Sequence, residues 1–143
     1  MFKLEKFEFL TEKYNQMILL TEQLRLVVKE SGVKNGLVTV ITLHTTTGID
    51  VNEHVECLES DIDDTLKRLI PEDLPYSHAR ILRTYGSTAG NPTGHIKSML
   101  TGNSCMFPVM NGDLIMGEAQ DVYLYEFDGP AKRTVVITVI GDN

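Results

Sequence analysis

Four histidines, His44, His54, His78 and His95, are the side chains of this sequence best suited to chemistry near neutral pH. A neutral imidazole donates through one nitrogen, accepts through the other, moves protons and ligates metals. The spacings form neither HxH nor HExxH, so spacing alone shows no metal motif. His44 precedes three hydroxyls, Thr45, Thr46 and Thr47, and Asn52 and Glu53 follow soon enough to return a carboxylate to the same pocket. His95 is flanked by Asn91 and Lys97. Gln120 and Glu126, six residues apart, fall on one face of a regular strand, turned either to a pocket or to solvent at an edge. For His44 and His95 the competing reading is a histidine bonded within the fold. His54, in an acidic stretch, reads as solvated.

Charge is distributed unevenly around these groups. The chain carries 13 basic and 20 acidic residues, a net charge of −7 and a pI near 5.0, which weighs against nucleic acid as a partner. Between Asp50 and Asp73 nine acids face only Lys67 and Arg68, whereas Leu74–Gly112 holds no acid but contains Arg80, Arg83, Lys97, His78 and His95. The glycine-rich stretch Tyr85–Gly94 then leads into a helix N-terminus, an arrangement suited to phosphate because backbone N–H groups and the helix dipole attract anions. It matches neither phosphate-loop pattern, and the alternative is an ordinary surface loop lacking acids by chance.

Periodicity indicates the elements that must position these residues. Phe2–Leu10 reads as a strand, and Thr11 as the cap of a helix in which Tyr14, Met17, Ile18, Leu20, Leu24, Val27 and Val28 recur at helical spacing up to Ser31-Gly32. Leu37–Leu43 and Gly48–Asn52 read as strands, and Glu56–Ile70 as a helix with early acids and late bases. After an irregular middle, Asn91 and Pro92 suit the N-cap and first turn of a helix ending at Gly102. Ser104–Met110, Asn111-Gly112 and Asp113–Met116 suggest a type I′ hairpin. Asp121–Phe127 and Thr134–Ile140 close the chain as strands, with Asp128-Gly129-Pro130 as the turn between them. The order predicts one α+β domain over residues 1–143, a mixed, largely antiparallel β-sheet sandwich packed with helices. Cys57 and Cys105 form no paired motif and read as reduced, partly buried thiols, and no apolar run is long enough to cross a membrane, so a cytoplasmic protein is expected.

These segments together resemble the YjbQ family, whose members include proteins described as secondary thiamine-phosphate synthases. The resemblance rests on His44-Thr45-Thr46 with Asn52-Glu53, Tyr76 and His78 after Leu69-Ile70-Pro71, and Asn91 with His95-Ile96-Lys97. Ser104, Pro108-Val109, Gly112, Leu114, Gly117, Gln120, Glu126, Asp128-Gly129-Pro130 and Arg133 extend it along nearly the whole chain. It implies a homotrimer and a transferase that joins hydroxymethylpyrimidine diphosphate to hydroxyethylthiazole phosphate. His44, Glu53, His95 and Gln120 would be catalytic, while Thr45, Thr46, Asn52, Asn91, Lys97, Ser104, Glu126 and Arg133 would bind the substrates. Lys97, Arg133 and the amides before His95 would neutralise the diphosphate leaving group, with Mg²⁺ as a further means. The chain departs from the family at Ser77-His78-Ala79 and Gly90-Asn91, where acids are usual, and at Ala119, where Trp is usual. The alternative function is a metal- or phosphate-binding trimer without turnover, in which His44, His78 and His95 hold a divalent ion such as zinc.

Overall fold

The computed structural model describes residues 1–80 and 91–143, apart from the Arg80 side chain. Its first half runs β1 (Phe2–Leu10), β2 (Gln16–Leu19), α1 (Thr21–Ser31), β3 (Asn35–Thr42), β4 (Thr47–Asn52), α2 (Glu56–Leu69) and α3 (Ser77–Arg80). The second half runs α4 (Pro92–Thr101), β5 (Ser104–Met110), β6 (Asp113–Leu114), β7 (Asp121–Glu126) and β8 (Lys132–Asp142). Arg83 and the first six residues of the glycine-rich stretch lie outside the described residues.

Five strands pair antiparallel in the order β1-β8-β3-β5-β6, and three in the order β2-β7-β4. This is the expected α+β architecture with antiparallel sheets. Alternation explains the large sheet: Val38 and Val40 of β3, Phe107 and Val109 of β5, and Val135, Ile137 and Val139 of β8 turn inward, joined by Phe7 and Phe9. Ile49, Val122 and Leu124 of the small sheet meet them, and Leu20, Leu24, Val27 and Val28 complete the same core. The β5–β6 turn has Asn111 at φ 54° and Gly112 at φ 82°, the left-handed pair that a type I′ hairpin requires.

The first expected helix is shorter than its periodicity suggested. It begins at Thr21, and Gln16–Leu19 instead pairs with β7, matching Ile18 to Leu124. Met17, Ile18, Leu20 and Leu24 fit a helical stripe, but edge pairing of Ile18 buries it in the sandwich, and packing overrides periodicity here. Thr11 caps no helix. Its hydroxyl bonds Glu126 Oε1 at 2.7 Å and accepts from the Ala131 N–H at 2.8 Å.

Helix α4 lies on the outer side of the small sheet. Ser98 Oγ donates to the Thr47 carbonyl at 2.5 Å, and the Ile49 N–H donates to the Gly102 carbonyl at 3.1 Å. Gly48 permits this approach, because a Cβ there would collide with the Thr101 side chain. Helix α2 lies over the same sheet through Tyr123 and Tyr125, whose hydroxyls donate to Glu59 at 2.7 Å and Asp63 at 3.2 Å.

Candidate functional site

The loop from β3 to β4 carries His44, Thr45 and Thr46 across one end of the sandwich, where β8 begins. There the backbone N–H of Thr134 donates to His44 Nε2 at 2.8 Å. Nε2 is therefore the unprotonated nitrogen, and Nδ1 carries the hydrogen. Burial holds the His44 pKa below the ordinary histidine value, and the nearby Arg133 charge acts in the same direction against Glu126. His44 thus presents a neutral N–H donor to the cavity beside it.

His95, in the first turns of α4, has the opposite polarity. Its Nδ1 lies 3.1 Å from the Thr45 carbonyl oxygen, which can only accept, so Nδ1 donates and Nε2 keeps its lone pair. His44, Thr45 and His95 line a cavity of about 380 Å³ together with Ser98, Gly102 and Asn103. On the far side of His95, Tyr76, His78 and Ile96 line a second cavity of about 470 Å³. The His78 and His95 rings meet edge-on, with centroids 5.2 Å apart.

Asp128 sets the third tautomer. Its carboxylate accepts from Asn91 Nδ2 at 2.7 Å, which fixes the amide orientation and leaves Asn91 Oδ1 facing His78 Nε2 at 3.0 Å. His78 Nε2 must then donate, and Nδ1 keeps the lone pair. Asn91 occupies the N-cap position of α4 without a side-chain cap bond, since both ends of its amide are engaged elsewhere. In the sequence Asp128 reads as turn punctuation and Thr11 as a helix cap, so neither signals the site that both help to build.

Several expected site residues stand elsewhere. Glu126 and Arg133 form a buried pair at the closed end of the sandwich, with Arg133 Nη2 also donating to Thr46 Oγ1 at 2.9 Å. Burial raises the Glu126 pKa, but the hydrogen bonds from Arg133, Thr11 and the Asp128 N–H, with the Arg133 charge, outweigh it and hold the carboxyl below its ordinary range. Lys97 is two residues from His95 and so points to another side of α4, toward Glu72. Neither cation lines the cavity at His44, and the Asp128 carboxylate accepts from the Asn91 side chain at the N-cap of α4. Asn52 pairs with Asp121 five residues along β4 from Thr47, roughly 17 Å from the His44 end, and the exposed Glu53 and Gln120 share that remote end. Gln120 Oε1 accepts from the Gly117 N–H at 2.8 Å in a local turn. Ser104 is exposed at the start of β5.

The three-histidine metal site is not assembled. Among the described residues no group of three or more His, Cys, Asp or Glu is disposed to hold a metal ion. The donor polarity explains why: His44 presents N–H, not a lone pair, and His78 and His95 alone fall short of a ligand set. His54, expected to be solvated, is half exposed, yet its Nδ1 lies 2.8 Å from both Glu59 Oε1 and Tyr123 Oη.

The family model described as UPF0047 protein YjbQ-like matches residues 5–142. The UPF0047 protein YugU of Bacillus subtilis is 33% identical over 138 residues, covering 96% of this chain and 99% of that one. The UPF0047 protein of Methanothermobacter thermautotrophicus is 32% identical over 131 residues, covering 92% of this chain and 87% of that one. Among solved structures, a YbjQ-like protein of unknown function from Sulfolobus solfataricus superposes with a TM-score of 0.92 at 26% identity, covering 99% of both chains. A YjbQ/UPF0047 protein from Clostridium acetobutylicum gives 0.86 at 34% identity, covering 95% of this chain and 99% of that one. The histidine cleft and the sandwich beneath it therefore belong to a member of the YjbQ (UPF0047) family.

Proposed function

We propose that this chain is a cytoplasmic transferase of the thiamine-phosphate-synthase type, acting at the cleft formed by His44, His78 and His95. The observation that carries the reading is the complementary polarity of two rings lining one cavity: His44 carries its hydrogen on Nδ1 as a donor, and His95, donating through Nδ1, keeps a lone pair on Nε2. In the joining reaction the pyrimidine expels diphosphate as its exocyclic amine releases electron density, and the thiazole nitrogen attacks the freed methylene. His44 N–H and the exposed Thr45 hydroxyl would hydrogen-bond the leaving diphosphate, which enters as its Mg²⁺ salt. His95 Nε2 would accept from the exocyclic amine, and His78 would hold the thiazole side of the substrate pair in the adjoining cavity. Lys97 and Arg133 are assigned no contact with diphosphate, because neither lines the histidine cleft.

The test incubates purified protein with the two precursors and Mg²⁺ and follows thiamine phosphate. The wild type is expected to exceed the enzyme-free rate, and His95→Ala to lower it more than tenfold. Binding of the diphosphate precursor with product formation equal to the blank would replace the transferase by the non-catalytic binding protein.

Self-association into the homotrimer is proposed through the outer face of the large sheet. Phe2, Leu4, Leu37, Met106, Met110 and Ile140 are all exposed there, on neighbouring strands of one face. Sedimentation should give three times the chain mass, and Leu37→Glu should shift it toward one. A monomeric wild type at micromolar concentration would overturn this assignment.

A further inference from the structure

Lys97 is a buried lysine whose amine makes only a long ion pair among the described residues. Its side chain is 1% exposed, and its Nζ meets no acceptor among the described residues closer than Glu72 Oε1 at 3.9 Å. That oxygen is already shared: Tyr14 Oη and Thr93 Oγ1 each donate to it at 3.0 Å and lie 3.2 Å from one another. Asp63, the next carboxylate, is held by Lys67 Nζ at 2.7 Å and by the Tyr125 hydroxyl. An ammonium whose nearest carboxylate is a shared oxygen beyond hydrogen-bond distance is poorly compensated for its burial, so the neutral amine gains. Burial accordingly pushes the Lys97 pKa below the ordinary lysine value; Glu72 and Asp63 oppose this, and Lys67 adds to it.

A cavity of about 520 Å³ adjoins this cluster on the α2 side, away from the histidine cleft. Tyr14 and Glu72 form its inner wall, Asp63 and Lys67 its α2 wall, and Lys13 and Asn15 its rim. Asn15 Oδ1 is buried there without a hydrogen-bond partner among the described residues. Glu72 at 53% exposure and Tyr14 at 41% line this cavity and are hydrogen-bonded to each other, with Glu72 Oε1 the cavity-lining group nearest to the Lys97 amine.

We propose that Lys97, with Glu72, Tyr14 and Thr93, forms a second site that captures a small aldehyde or ketone as an imine on the Lys97 amine. The neutral Nζ adds to the carbonyl carbon while the carbonyl oxygen takes a proton from the Tyr14–Thr93–Glu72 network. The first Nζ proton passes to Glu72, which returns it as the carbinolamine hydroxyl departs as water, and the second Nζ proton leaves the iminium for the network, restoring the one it gave to the carbonyl oxygen. Carbonyl compound and amine become imine and water, with no oxidation or reduction. The 3.9 Å gap between Nζ and Glu72 Oε1 is too long for a direct bond and leaves the oxygen within reach of a group attached to Nζ. The proposal is independent of the transferase reading, since Lys97 does not face the histidine cleft.

The experiment treats the full-length protein near neutral pH with pyridoxal 5′-phosphate, reduces the imine with borohydride and maps the modified peptides. The sequence has eight lysines, so the other seven serve as internal controls. Lys97 is expected to be modified at least tenfold faster than any other lysine. Lys97→Arg should abolish the fast phase, Glu72→Gln should slow it about tenfold, and His95→Ala should label as wild type. An unmodified Lys97 beside labelled exposed lysines, or label spread evenly over all eight, would overturn the proposal.

Discussion

Arg133 grips Glu126 through two parallel hydrogen bonds, Nε to Oε1 at 2.8 Å and Nη2 to Oε2 at 2.6 Å, with the carboxylate wholly buried. Each partner leaves the other as an unpaired buried charge if removed, the costly case for an internal ion pair. Glu126→Gln is expected to destabilise the protein by about 3 kcal/mol in urea unfolding, while the double change Glu126→Leu with Arg133→Met recovers more than half of the loss. The folded Glu126 pKa lies below its unfolded value, so its contribution is complete above about 4.5 and disappears as pH falls through the folded value. The gap between wild type and Glu126→Gln should therefore narrow below pH 4.5. A constant gap down to about pH 2 would show that charge is not its origin.

This pair also marks where the sequence stops being informative. Strands β3, β5 and β8 were legible because each turns one apolar face inward and continues its pattern for seven residues or more. Strand β7 was legible as a strand but not in its facing, since Tyr123 and Tyr125 are buried under α2 as fully as Leu124 is buried in the core. Period-two alternation then cannot tell which side meets a site. The placement of Glu126 next to Arg133 joins residues seven apart across a turn between two sheets, which no local spacing reveals. Lys97 misled for a simpler reason: adjacency to His95 in sequence suggested a shared pocket, although helical geometry separates positions two apart.

The Thr134 N–H bond makes a separate claim about His44. Titration followed by NMR should give His44 a midpoint below 6.5, with the hydrogen on Nδ1 in the neutral form. Because the folded pKa lies below the unfolded one, this group's stabilisation is complete above 6.5 and is lost as pH falls through the folded value. A midpoint above 6.5, or an Nε2-protonated neutral ring, contradicts the arrangement.

Asp50 provides the opposite sign. Burial pushes its carboxyl up to about 6, and among the described residues no charged partner offsets this. The folded state therefore holds the proton more tightly than the unfolded chain, and the group costs stability as pH rises through the interval from 3.8 to about 6. Asp50→Asn should stabilise the protein above pH 7 by about 1–3 kcal/mol, the lower end reflecting partial access to water. At about pH 4 the two proteins should unfold at similar urea concentrations. Equal stability above pH 7 would mean that the carboxylate finds solvation the fold does not display.

The chain Asp128–Asn91–His78 reaches furthest into the histidine cleft. An amide flip at Asn91 would place its oxygen against the Asp128 carboxylate and its NH₂ against His78, so Asp128 enforces the orientation that leaves the His78 Nδ1 lone pair free. Asp128→Asn removes that enforcement, because the new amide can accept or donate. Nitrogen-15 NMR should then show His78 changing from a single Nε2–H tautomer to a mixture, while His95, held by the Thr45 carbonyl, stays Nδ1–H. Under the proposed transferase reading, turnover should fall about tenfold, with unfolding changed by less than about 1 kcal/mol, since Asn91 and Asp128 are only half-buried. A His78 ring that keeps its tautomer in Asp128→Asn would show that the ring is oriented by its contact with His95, 5.2 Å away, and not by the carboxylate.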